Sequence, residues 1–122
     1  MKQGDIFWIE PDCLPDDFGE IPHPYVVIQD NVINQSRIKT VVMCALTSNM
    51  KRACDPVNVL LDVDEANLPH HSIVVVSQIE TVNKSDLKEY IGTLSPERVK
   101  QIFNGMRFQQ RPFFDREGNS AI

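Results

Sequence analysis

Short runs of β-branched and aromatic residues, each closed off by turn chemistry, constrain this chain more than any other feature. Ile6-Phe7-Trp8-Ile9, Tyr25-Val26-Val27-Ile28, Thr40 to Leu46, Val57 to Leu61 and Ser72 to Ile79 all read as strands. Such residues pack well on a pleated surface, while the Gly, Pro, Asn and Asp between the runs end them. Thr40 to Leu46 carries no polar alternation, so burial on both faces is expected. No regular strand–helix–strand alternation accompanies the runs, which argues against a parallel sheet.

One long helix follows the strands. Ser95 is an N-cap residue, Pro96 suits the first helical position, and Glu97 favours the positive end of the helix dipole. Val99, Ile102, Phe103 and Met106 then repeat at helical spacing as an apolar stripe. Gly105 weakens this helix by roughly 1 kcal/mol relative to Ala, and Pro112 is expected to close the region. A shorter helical turn is expected near Ser85. Together these elements predict a mainly β fold, a small twisted β-barrel with a C-terminal α-helix.

With 122 residues, the chain is long enough for one cored domain and too short for two. The domain is read as residues 1–114, followed by a polar, frayed tail at 115–122. Apolar residues make up 42% and charged residues 24%, a composition that separates the chain from disordered ones. The longest apolar runs fall far short of the ~18 residues of a membrane span, and the N-terminus lacks the apolar core of a secretory signal. No membrane association and a cytoplasmic location are therefore expected.

Three cysteines, Cys13, Cys44 and Cys54, form no CxxC pair, and their odd number argues against a disulfide framework. No metal site and no cofactor are expected. On a strand, His70 and His71 would point to opposite faces, so they read as polar residues in a turn after Pro69.

The net charge of −5 speaks against binding nucleic acid through bulk electrostatics. Its distribution is uneven, however. Seven acids and only Lys2 as a base lie between Met1 and Asp30, whereas Asn31 to Cys54 holds four bases (Arg37, Lys39, Lys51, Arg52) and no acid. A local positive surface on an acidic protein, or bases that merely solvate loops, both fit this pattern. Between the first two strands, Pro11 to Pro24 carries four prolines, four acids and Gly19. Connections of this length are commonly functional or mobile, and a stiff decorative loop fits this feature equally well.

Gly4-Asp5-Ile6 opens the first strand, and His23-Pro24-Tyr25-Val26-Val27-Ile28-Gln29-Asp30 follows the long loop. Ala45-Leu46-Thr47-Ser48 ends the third strand; Ser72 to Val82 is followed by Lys84-Ser85 and then Ile91-Gly92-Thr93-Leu94-Ser95. In order and spacing these segments resemble the MazF/PemK toxins of type II toxin–antitoxin systems, from about Gly4 to Phe108. The resemblance implies an SH3-like barrel of the CcdB/MazF type that forms a homodimer. It implies metal-independent, sequence-specific cleavage of single-stranded RNA, and a cognate antitoxin that lays an acidic segment over the RNA groove. Where the family's motif has an arginine before the proline of the second strand, this chain has His23. The family's threonine at the end of the third strand falls on Thr47, and its acidic residue before the glutamine of the fifth strand is Ser77, with Gln78 kept.

Cleavage of RNA through its own 2′-OH needs a base for that proton, an acid for the leaving 5′-oxygen, and donors to the crowded phosphorane. Arginine binds phosphate well but is a poor proton donor, with a pKa above ~12. A histidine side chain titrates near ~6.5 when unperturbed and can act as acid or base. His23 and Thr47 are accordingly the expected catalytic residues, His23 for proton transfer and Thr47 for phosphate contact. The expected RNA-binding set is Phe18, Arg37, Ser48, Asn49, Lys51, Arg52 and Gln78. Lys51 and Arg52 follow Thr47 closely enough to meet neighbouring phosphates. Phe18 suits base stacking as well as it suits anchoring its loop. Gln78 suits a base edge or a cross-strand pair, and Arg37 a phosphate or plain solvent. An alternative reading places a catalytically inert or gyrase-poison-like binding protein on the same barrel. The end of the helix, with Arg107 and Arg111, lacks the small apolar ending expected for a gyrase poison.

Overall fold

The computed structural model describes the backbone of residues 1–10 and 23–120, and the side chains of 1–10 and 23–110. Six strands form one antiparallel sheet: β1 (Asp5–Ile9), β2 (His23–Val27), β3 (Thr40–Thr47), β4 (Val59–Leu60), β5 (Ile73–Asn83) and β6 (Leu87–Thr93). Their order across the sheet is β4-β5-β3-β2-β1-β6. A short helix α1 (Asn31–Asn34) joins β2 to β3, and α2 (Pro96–Ser120) follows β6. The predicted mainly β fold with a C-terminal helix is the one observed.

Alternation along the strands sends side chains into two buried clusters, one on each face. Ile6, Val26, Cys44, Leu46, Val74 and Val76 meet Val99 and Ile102 of α2 in the first. Ile9, Tyr25, Val27, Val41, Met43, Ala45 and Val82 form the second. β3 supplies both, which is why its sequence shows no polar alternation. Phe7 packs on the second cluster and tilts against Tyr90, with ring centroids 5.7 Å apart. The Cys44 thiol, pushed up to about 12 by burial, donates to the Val75 carbonyl at 3.0 Å. It is packing material, too far from the thiolate form to react.

The sheet curls until its two edges face each other, and the turn Glu65–Asn67 seals the gap. Asn67 Nδ2 donates to the Ile91 carbonyl of β6 at 3.3 Å. A Cβ on Gly92 would lie 2.1 Å from the Ala66 carbonyl oxygen, so only glycine lets the turn lie against β6. Arg98 of α2 forks onto Glu65, Nε to Oε2 at 2.9 Å and Nη2 to Oε1 at 3.1 Å. Burial disfavours the Glu65 carboxylate, but the Arg98 fork, the Asp62 N–H and the Arg98 charge together hold its pKa below the usual range.

Several element boundaries differ from the sequence expectation. β4 is two residues long rather than Val57 to Leu61, because Val57 and Asn58 turn away to meet α2 and β5. β5 continues past Ile79 to Asn83, and β6, an exposed edge strand carrying Lys88 and Glu89, shows no apolar run to betray it. The expected turn near Ser85 is the 3-10 segment Lys84–Asp86. Ser95 caps α2, its Oγ accepting from the Arg98 N–H at 3.2 Å. The helix does not stop at Pro112 but runs on to Ser120, although Pro112 has no N–H for the carbonyl four residues back. Phe103 is 39% exposed rather than part of the packed stripe. That stripe is Val99, Ile102 and Met106, turned toward Gly105, where a Cβ would sit 2.4 Å from the Val57 carbonyl.

Candidate active site

The ends of β1, β2 and β3 carry the candidate site. Ile9 pairs with His23, and Thr47 pairs with Ile73. Continuing the Tyr25–Ala45 register by two residues sets His23 opposite Thr47. Cross-strand partners in such a ladder share a face, with Cα atoms about 4.5–5.5 Å apart. Two residues far apart in sequence thus reach the same end of the sheet.

Both line one cleft of about 160 Å³, together with Trp8, Pro24, Leu46, Ser48, Leu68, Pro69, His70 and Ser72. Trp8 pairs with Pro24, so Trp8, Pro24 and Leu46 approach from one face of the sheet and His23 and Thr47 from the other. The cleft therefore wraps around the strand ends. Its lining mixes apolar side chains (Trp8, Pro24, Leu46, Leu68, Pro69) with polar ones (His23, Thr47, Ser48, His70, Ser72).

Thr47 closes β3 in a side-chain turn: its Oγ1 accepts from the Asn49 N–H at 3.2 Å. A hydroxyl that accepts there keeps its own proton to donate outward. Asn49 in turn caps the 3-10 segment Met50–Cys54, its Oδ1 accepting from the Lys51 N–H at 3.1 Å. Lys51 is exposed and Arg52 half-buried. Asn58 Nδ2 holds the Arg52 carbonyl at 3.0 Å, which fixes the segment beside the cleft.

The expected site residues divide by location. His23, Thr47 and Ser48 line the cleft; Asn49, Lys51 and Arg52 follow Ser48 in the chain and are not among its lining residues. Gln78 is half-buried in the middle of β5 and is not among the lining residues. Arg37 precedes the opposite end of β3, where it lines a separate hollow with Lys39 and Lys84. At ~3.3 Å per residue that places it on the order of 25 Å from Thr47 within one chain. Phe18 and the rest of the 11–22 loop lie outside the described residues.

Sequence reasoning missed His70, Leu68 and Ser72 as lining residues; Trp8, on the face of β1 opposite Phe7, joins them. The His-His pair after a proline looks like ordinary turn chemistry, and only the curl of the sheet carries it to the end of β3. Among the described residues, no group of three or more His, Cys, Asp or Glu could hold a metal ion. Among the same residues no helix is long and apolar enough to cross a membrane.

Comparison with known proteins bears directly on this arrangement. Residues 2–109 match the profile described as PemK-like, MazF-like toxin of type II toxin–antitoxin system. The chain is 33% identical over 110 residues to endoribonuclease MazF2 of Mycobacterium bovis, covering 88% of this chain and 94% of the relative. It is 26% identical to endoribonuclease MazF of Staphylococcus saprophyticus, over 87% of this chain and 88% of that one. Among solved structures, a mycobacterial endoribonuclease in complex with its cognate antitoxin superposes with a TM-score of 0.71 at 21% identity, covering 88% of this chain and 92% of that one. MazF from Deinococcus radiodurans gives 0.70 at 15% identity, covering 89% and 94%. The chain belongs to the PemK-like, MazF-like toxins of type II toxin–antitoxin systems.

Proposed function

We propose that this chain is the toxin of a type II system and acts as an endoribonuclease, cutting single-stranded RNA without a metal ion and leaving a 2′,3′-cyclic phosphate and a 5′-hydroxyl. The observation that supports the reading is that His23 and Thr47 line one cleft at the strand ends. His23 accepts the 2′-OH proton as that oxygen attacks phosphorus. Thr47 donates its hydroxyl proton to a non-bridging oxygen as charge builds there, and the P–O5′ bond breaks. Ser48, Asn49, Lys51 and Arg52 position the flanking phosphates. A homodimer, a cytoplasmic location and inhibition by a cognate antitoxin belong to the same reading. Relatives named endoribonuclease favour it over an inert or gyrase-poison-like protein.

Purified protein incubated with long mixed-sequence RNA in excess EDTA tests the reading. Discrete cuts with 5′-hydroxyl ends, lost in both His23→Ala and Thr47→Ala, are expected. Cutting that survives both substitutions would remove the site assignment, and the absence of any cutting by folded protein would remove the activity.

A further inference from the structure

We propose that His70 is the general acid of this cleavage, protonating the leaving 5′-oxygen while His23 takes the proton of the attacking 2′-hydroxyl. This rests on the endoribonuclease reading of the cleft and adds to it the residue that the reaction still lacks. Of the chain's three histidines, His23 and His70 line the same cleft, and His71 directly follows His70. Among the described lining residues these two are the only imidazoles, the side-chain type that most often serves as general acid or base. The other charged groups on the elements that form the cleft are Asp5 at the far end of β1 and Glu10 after it, Lys51 and Arg52 after β3, and Glu80 of β5, which pairs with Met43.

Topology gives the pair the arrangement an in-line displacement demands. The attacking and leaving oxygens lie on opposite sides of phosphorus, so base and acid must reach it from opposite directions. β3, which carries Thr47, lies between β2 and β5 in the sheet. His23 reaches the cleft from β2 on one side, and His70 from the segment leading into β5 on the other. That segment is held firmly: Leu68 is buried in the first cluster, Pro69 stiffens the backbone, and buried Ser72 donates from Oγ to the His70 carbonyl at 2.8 Å.

The protons balance. His23 begins neutral and ends protonated; His70 begins protonated and ends neutral. The 2′-O–P bond forms, the P–O5′ bond breaks, and the products are a cyclic phosphate and an alcohol. Water entering the cleft afterwards restores both imidazoles.

The test uses the full chain and an oligonucleotide with one ribonucleotide at a mapped cut, made with either oxygen or sulfur at the bridging 5′ position. Sulfur leaves without protonation and so needs no acid. The expected result is that His70→Gln slows cutting of the oxygen substrate by about 10²–10⁴-fold and cuts the sulfur substrate within about tenfold of wild type. His23→Ala is expected to stay slow on both. Wild-type rate should rise and then fall with pH, and His70→Gln should lose the fall on the alkaline side. His71→Gln serves as the exposed control, and thermal melting confirms that each variant is folded. His70→Gln cutting the oxygen substrate at the wild-type rate, or slowed equally on both substrates, would overturn the acid role while leaving the endoribonuclease reading intact. Failure of the wild type to cut either substrate would overturn both.

Discussion

The seam that closes the sheet and the cleft at its end are built from the same kind of material, turns between short strands, yet they are held in opposite ways. At the seam every approach is fixed by contact: Gly92 against the Ala66 carbonyl, Asn67 onto Ile91, and Arg98 forked onto Glu65. At the cleft the polar groups are braced from behind and open in front. Thr47 is tied to the Asn49 N–H and His70 is held through its carbonyl by Ser72, while His70 and Ser48 are exposed. The contrast teaches where this molecule keeps its stability and where it keeps chemistry available. Substitutions at the two places should separate into those that unfold and those that silence.

The largest expected effect falls on activity alone. On the proposed role of Thr47 as a donor to the phosphorane, Thr47→Val should lower the cleavage rate by about 10²–10³-fold, with stability reduced by less than about 1 kcal/mol. Thr47→Ser, which keeps the hydroxyl, should retain most of the rate. A rate loss in Thr47→Val matched by an equal loss of folded protein would erase the distinction between cleft and seam.

Gly92→Ala should do the reverse. Its Cβ meets a backbone carbonyl rather than a yielding side chain, so denaturant unfolding should show a loss of about 3 kcal/mol, the upper end of the usual overpacking range. Activity per folded molecule should hold.

A smaller effect is expected where the seam is electrostatic. Arg98→Met should cost about 1–2 kcal/mol, since it strips a two-point contact from a largely buried carboxylate. The same contact makes a pH prediction. Glu65 is held below the ordinary carboxylate range in the folded chain, so its contribution is full above the unfolded value of about 4.3 and is lost as pH falls through the lower folded value. Urea titrations should therefore show wild type losing more stability than Glu65→Gln as pH is lowered from 5 toward 3. Equal losses would remove Glu65 from the acid sensitivity of the fold.

The smallest effect tests strain. Ala66 holds φ at +54° beside Asn67 at +62°, conformations that L side chains adopt at a cost. Ala66→Gly should stabilise the chain by up to about 1 kcal/mol and leave cleavage unchanged. A loss of stability would mean that the Ala66 methyl contributes more by packing than its backbone loses by strain.

Much of this was legible before any coordinates. The apolar runs gave most strands because a half-buried or fully buried strand writes its burial into its residue types. Ser95, Pro96 and Glu97 marked the start of α2 for equally local reasons. β6 was invisible because an edge strand meets solvent and tolerates Lys88, Glu89 and Tyr90. Gly105, read only as a helix weakness, is where α2 comes closest to the Val57 carbonyl. The family resemblance pointed to His23 and Thr47, and strand register then brought them together.

What the sequence alone determined, then, is whatever depends on neighbours within a few residues: strand and helix type, caps, and the surplus of bases after Asn31. The tertiary structure decided the membership of the cleft. It brought Thr47, a histidine from β2 and one from the approach to β5 to one cleft, left Arg37 at the far end of β3, and made His70, read from the sequence as plain turn chemistry, a lining residue. The physical reason is that local propensity is written in residues a turn apart, whereas a cleft is written in register and curl. Both depend on how many residues separate the strands and on which glycine lets two edges meet.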